Sequence, residues 1–97
     1  MERKKKNQFG KYIRHRRAYC NMTREQLAKY STLSTKFIGE IERGEKSPSL
    51  DSFIKLAIGL DMGPVSMFRG ITDEIYPDLE KKVKEQRAIY KLSKAQK

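Results

Sequence analysis

The chain contains one cysteine, Cys20, and one histidine, His15, among 97 residues. A single cysteine excludes an intrachain disulfide and a CxxC metal site. A single histidine removes most zinc-site and catalytic-triad arrangements. There is no glycine-rich phosphate loop, and Glu40, Glu42 and Glu45 fall on different faces of a cationic helical region rather than in one carboxylate cluster. No enzymatic activity is therefore expected, a metal-dependent nuclease included, and no metal or cofactor. Long apolar runs are also missing. The N-terminus has basic residues with no apolar segment behind them, and no run approaches the roughly 20 residues that cross a bilayer. The expectation is a soluble, cytoplasmic protein with no membrane partner.

Positive charge is what the chain has in excess. Lysine and arginine number 22 against 12 acidic residues, a net charge of +10. That balance points to a polyanionic partner, nucleic acid ahead of an anionic membrane surface. Hydrophobic residues at 37% are too many for a disordered chain and too few for a membrane protein. This length fits one small domain with a modest core and one appendage.

The chain is organised around Thr23 to Gly44. Thr23 is placed to N-cap a helix, and Gln26 three residues on completes a capping box. Leu27 and Ala28 face inward, and Ser31 and Thr32 interrupt the apolar pattern. Leu33 plugs the turn, and Ser34 is the next N-cap. Phe37, Ile38 and Ile41 mark one face of a second helix, which Gly44 stops as a C-cap glycine. Two short helices joined by a three-residue turn form a helix-turn-helix unit, whose second helix presents its N-terminal residues to DNA bases.

Around that unit, residues 1–7 carry a basic arm, Arg3 to Lys6, which either tracks phosphates or is a solvated terminus. A first helix is expected from about Gln8 to Tyr19, with Phe9, Ile13 and Cys20 near one face and Tyr12 beside it. Lys11, Arg14 and Arg16 take its outer face, as candidate phosphate contacts. Arg17 falls beside the apolar stripe, where an arginine either snorkels or pairs with a buried carboxylate. Ser49 is expected to cap a fourth helix with an apolar stripe of Leu50, Phe53, Ile54, Ala57, Ile58 and Leu60. Gly59 reads as a tolerable defect near its end. A short fifth helix after Gly63-Pro64 closes the core with Met67 and Phe68, and Arg69-Gly70 ends the compact domain, 8–70. Residues 71–97 form a charged extension read as a separate helix from about Pro77 to Ser93, since proline fits only a helix's first turn. Leu79, Val83, Gln86 and Tyr90 follow the 4-3-4 spacing of a paired seam. That helix either makes a dimer or folds back on its own domain.

Residues Phe9 to Phe68 resemble the Cro and phage-repressor, or XRE-type, family of DNA-binding domains. The resemblance rests on Arg17 at the end of the first helix, Leu27-Ala28, the run LSTKFIGEIERG, Pro48-Ser49 and Met67-Phe68. Departures are Thr32 in place of the usual turn glycine and Asn21 where a glycine often stands. The resemblance implies an all-α fold, a five-helix lambda-repressor-like bundle, here with an additional C-terminal helix. It also implies a homodimer on a two-fold site in double-stranded DNA, and an Arg17–Glu42 ion pair between the first and third helices.

Base readout requires the outward, N-terminal face of the recognition helix, 34–43, in the major groove. Thr35, Lys36, Gly39 and Glu40 occupy it, and the resemblance implies base contacts from the positions of Thr35, Lys36 and Glu40. Lys36 can donate to guanine O6 and N7, and Thr35 offers a hydroxyl or a methyl. Glu40 either accepts from cytosine N4 or is a solvated charge. Gly39 either admits close approach to the bases or is a small residue beside the core. Arg24, Ser34, Arg43 and Lys46 are the expected phosphate contacts framing this helix, with Lys11 and Arg14. The function expected is a sequence-specific transcriptional regulator, a repressor or autoregulator reading a palindromic operator. The alternative is an antitoxin or adaptor whose C-terminal helix grips a partner protein.

Overall fold

The computed structural model describes residues 8–95, so the basic arm at 1–7 lies outside the described residues. Five helices follow in order: α1 (Gln8–Tyr19), α2 (Arg24–Ser31), α3 (Thr35–Glu42), α4 (Leu50–Gly59) and α5 (Pro64–Ala95). There is no strand among the described residues.

Three of these helices start on side-chain caps. Thr23 Oγ1 accepts from the Gln26 amide at 3.0 Å while Gln26 Oε1 accepts from the Thr23 amide at 2.8 Å, a reciprocal capping box. Ser34 Oγ accepts from the Phe37 amide at 3.0 Å, and Ser49 Oγ from the Ser52 amide at 3.1 Å.

The first four helices end in one and the same way. Asn21, Thr32, Gly44 and Asp61 all have positive φ, at 60°, 56°, 76° and 58°. The next residue in each case donates back five positions: Met22 to Arg17 O, Leu33 to Ala28 O, Glu45 to Glu40 O and Met62 to Ala57 O, at 2.8–3.0 Å. This closure satisfies carbonyls that the helix end would otherwise leave open. Only Gly44 takes the left-handed position without steric cost. Asn is tolerated there, whereas the β-branched Thr32 carries strain of about 1 kcal/mol.

The core joins one or two residues from every helix. Ile13, Leu27, Ile38, Leu56, Leu60 and Met67 are completely buried, with Phe9, Leu33, Phe37 and Phe53 packed around them. In α4 the buried residues are Leu56, Ala57 and Gly59, and Leu50, Ile54 and Ile58 are exposed. The expected stripe is thus rotated. A helix with a broad apolar side does not reveal which part of it is covered, and here the covered part is that of Leu56 and Ala57.

Gly59 is not a defect. A Cβ there would lie 2.9 Å from Ser31 Cβ and 3.0 Å from Leu27 Cδ1, so α2 and α4 approach only because that carbon is missing. Gly10 acts likewise: a Cβ would run into the carbonyl oxygens of Glu42 and Ile41, which brings α1 against the end of α3.

The fifth helix and the C-terminal helix expected from the sequence are one continuous helix of 32 residues. Ile71 is buried and Ile75 packs against the core, so the Met67–Ile71–Ile75 spacing carries the helix past Gly70. Pro77 lies inside it, and without an amide hydrogen it donates nothing to the Asp73 carbonyl. The compact part therefore extends to Ile75, beyond the expected end at residue 70.

Candidate nucleic-acid interface

The third helix buries Ile38, Gly39, Ile41 and Glu42. A carboxylate enclosed in this way requires compensating charge and hydrogen bonds. Arg17 supplies them as a fork, Nε to Oε2 at 2.7 Å and Nη2 to Oε1 at 3.0 Å, and donates its Nη1 to Met22 O at 3.0 Å. Arg24, at the first position of α2, donates Nε to Glu42 Oε1 at 3.0 Å. Arg14 approaches the same oxygen at 4.0 Å. Burial alone pushes the Glu42 carboxyl up, but the Arg17 and Arg24 hydrogen bonds and charges outweigh it and hold it below the usual carboxylate range. The Glu42 hydrogen bond in turn raises the Arg17 pKa against the opposing effect of burial.

Three arginines on one carboxylate leave the cluster positive. The Arg17 side chain is the enclosed member, only 16% exposed, whereas those of Arg14 and Arg24 are 49% and 41% exposed. Arg17 therefore ties α1 to α3. Arg14 and Arg24 present cationic edges to solvent, each oriented by the carboxylate behind it.

Along α3 the candidate base-reading residues differ in access. Lys36 and the capping Ser34 are exposed, and Thr35 is half-buried. Gly39 is buried beneath the Arg43 guanidinium, whose Nη1 lies 3.0 Å from where a Cβ would stand. It is not open to a groove while Arg43 covers it. Glu40 pairs with Lys46 at 3.5 Å and its side chain is 15% exposed. Arg43 donates Nε to Glu45 Oε2 at 2.8 Å and Nη2 to Oε1 at 3.3 Å. Lys11 is exposed on α1.

Spacing within a helix does not forecast the last two pairs. They form because Gly44, at φ 76°, turns the chain back and returns Glu45 and Lys46 to the end of α3. The glycine was the available signal. The Arg24–Glu42 pair crosses between helices and has no local sign in the chain. Among the described residues no group of three or more His, Cys, Asp or Glu side chains is placed to hold a metal ion. No helix described is long and apolar enough to cross a membrane.

A capped two-helix unit with an exposed lysine on the first turn of its second helix, framed by half-open arginines, defines a DNA-binding transcriptional regulator of the helix-turn-helix class. Residues 13–65 match the model of the HTH_3 helix-turn-helix family, and the chain belongs to that family.

Among solved structures, the chain is similar to the restriction-modification controller protein C.AhdI from Aeromonas hydrophila. Identity is 34% and TM-score 0.61, over 64% of this chain and 94% of that one. It is also similar to a point mutant of the restriction-modification controller protein C.Esp1396I. There identity is 30% and TM-score 0.67, over 78% of this chain and 96% of that one. An HTH_3 family transcriptional regulator from Vibrio cholerae is 28% identical at TM-score 0.61, over 67% of this chain and 36% of that one. No curated protein sequence matches the chain.

Proposed function

We propose that this chain is a dimeric, sequence-specific regulator that reads a palindromic operator with α3 in the major groove, as a repressor or autoregulator of a restriction–modification or similar mobile-element operon. The observation that carries this reading is the first turn of α3. Lys36 stands exposed there, on a helix fixed by the Ser34 cap, by burial of Ile38 and Ile41, and by the Glu42 ion cluster. Side chains held on a rigid element meet base edges at lower entropic cost than side chains on a loop. Likeness to two restriction-modification controller proteins, each covered almost end to end, supports the regulatory setting.

The division of roles proposed is Lys36 and Thr35 toward bases, with Ser34, Arg24, Arg14, Lys11, Arg43 and Lys46 toward phosphates. Glu40 reaches a base only if it leaves Lys46, and Gly39 only if Arg43 swings aside onto a phosphate. DNA can drive both moves, because a phosphate competes with Glu45 for Arg43 and with Glu40 for Lys46.

Selection of bound fragments from a random DNA library, repeated across a salt series, tests the proposal. An inverted repeat with half-sites a whole number of helical turns apart is the expected product. Enrichment of no motif, with binding lost steeply as salt rises, would leave only backbone attraction and refute sequence-specific reading.

A further inference from the structure

The excess positive charge of this chain does not lie on its helix-turn-helix. Residues 8–80 hold 11 lysines and arginines against 10 aspartates and glutamates, a net charge of only +1. Residues 81–97 hold 7 against 1, a net charge of +6. Several cations of the domain are also engaged internally. Arg14, Arg17 and Arg24 share Glu42, Arg43 pairs with Glu45, Lys46 with Glu40 and Lys55 with Asp51. On the outer half of α5, Glu80 holds Lys84 at 2.8 Å. Among the described residues no carboxylate lies within ion-pair reach of Lys81, Lys82, Arg87, Lys91 or Lys94.

The helix sorts these cations by side. Lys84, Arg87, Lys91 and Lys94 recur at spacings of three, four and three and fall within an arc of roughly 80°. All four are exposed, and the Lys94 ammonium stands over Tyr90 at the border of the stripe, 5.6 Å from the ring centre. Like charges at these spacings oppose helix formation. Ile75 is the last described residue that packs against the core, so packing does not offset that cost farther out. Phosphates seated along the stripe would remove it. From Lys84 to Lys94 the helix rises about 15 Å, a length over which one strand of duplex DNA presents about four phosphates. The apolar residues do not favour lipid instead. Leu79, Val83 and Tyr90 lie on one side and Ile89 and Leu92 on another, with Lys82, Gln86 and Ser93 between them. No single apolar side is therefore available to sink into a bilayer.

We infer that the side of α5 carrying Lys84, Arg87, Lys91 and Lys94 binds DNA phosphates as a second, sequence-indifferent contact outside the helix-turn-helix. This rests on the DNA-binding reading proposed above and supplies the backbone attraction that a nearly neutral domain lacks. The fifth helix runs beside α1 in the same sense, because a Cβ on Gly70 would meet Tyr12 and Glu74 shares a cleft with His15, Arg16 and Tyr19. It therefore leaves the domain past the end of α1, the end from which the chain passes to Arg24. A phosphate displaces Glu80 from Lys84 as it displaces Glu45 from Arg43. The family model ends at residue 65, so this contact is an addition to the shared domain.

The test compares the full chain with Arg87→Gln/Lys91→Gln/Lys94→Gln, in which glutamine keeps the helix propensity. Affinity is measured from low to physiological salt on a random-sequence duplex and on the operator recovered by selection. The triple variant should lose about 100-fold in affinity at physiological salt, and its slope of log K against log salt should be shallower by about 2–3, on both DNAs alike. Its selected motif should be unchanged. Lys81→Gln/Lys82→Gln, off the stripe, should change the slope by less than about one. Unchanged affinity and slope in the triple variant would overturn the inference, as would an equal loss per charge in the off-stripe variant. So would capture of the wild type, but not the triple variant, by phosphatidylglycerol vesicles with DNA binding indifferent to the substitutions, which would assign the stripe to a membrane surface. A wild-type selection that enriches no motif refutes operator reading alone, because the slope comparison on random duplex still decides the stripe.

Discussion

Arg24 Nε and Glu42 Oε1 are 3.0 Å apart, although Arg24 opens α2 and Glu42 closes α3. That carboxylate simultaneously holds Arg17 at 2.7 Å. One buried anion thus fixes the first helix against the third while aiming a cationic side chain of the second outward. Packing and DNA approach meet in a single group, and the consequences can be separated by experiment.

Removing the charge alone should unfold much of the domain. Glu42→Gln leaves Arg17 enclosed without its counter-ion, and breaking a pair of this kind costs about 3–5 kcal/mol. Urea denaturation checks it. Arg14→Ala, at 4.0 Å and half exposed, should cost under about 1 kcal/mol.

The same group gives a pH dependence of known sign. The Glu42 carboxyl is lowered from 4.5 on folding, so the unfolded chain binds this proton more readily. Its contribution to stability is complete above pH 4.5 and is lost as pH falls from there through the folded value. Thermal melts between pH 7 and pH 3 should show a steeper decline below pH 4.5 for the wild type than for Glu42→Gln.

Turn strain at Thr32 should be removable. Thr32→Gly relieves the left-handed β-branched residue at φ 56° and should stabilise the domain by about 1 kcal/mol, raising Tm by roughly 4–8 °C. A fall in Tm would show that the Thr32 hydroxyl bond to Ser31 O, 2.6 Å long, outweighs the strain.

Glycine substitutions in and beside α4 should separate packing from helix propensity. Gly59→Ala favours the helix by propensity but meets Ser31 and Leu27 at 2.9–3.0 Å, and should destabilise by about 1–3 kcal/mol. Gly63→Ala meets only Ser66 Oγ, at 4.0 Å, and should be close to neutral. Chemical denaturation of the two variants makes the comparison.

These cases show what was readable in the sequence. Caps at Thr23, Ser34 and Ser49 act within three residues, so the residue types alone reveal them. The helix-turn-helix and its family likeness rest on such local signals in order. Gly59 and Gly10 were not readable, because their role depends on the backbone of another helix. Leu50, Ile54 and Ile58 are exposed although they belong to the expected stripe, because the apolar arc of α4 is wider than the part its neighbours cover. Ile71 and Ile75 carry the helix across Gly70, which reads as a boundary. In the interface, exposure of Lys36 follows from its place on the helix, but the cover of Arg43 over Gly39 depends on the turn at Gly44.

Phosphate and base contacts should differ in salt response. Arg24→Ala and Arg43→Ala should each weaken binding to all sequences alike and reduce the slope of log K against log salt by about one. Affinity measured on operator and unrelated DNA from low to physiological salt checks this. If Arg43→Ala leaves both affinity and slope unchanged, the proposed docking face is wrong.

The central claim is that the first turn of α3 reads bases, and the most direct measurement is the library selection repeated with Lys36→Ala. The account predicts that the variant recovers the same inverted repeat with one base step relaxed in each half-site, a loss of about 1–3 kcal/mol of discrimination there. An unchanged recognition profile would place base reading elsewhere on the molecule and contradict the account.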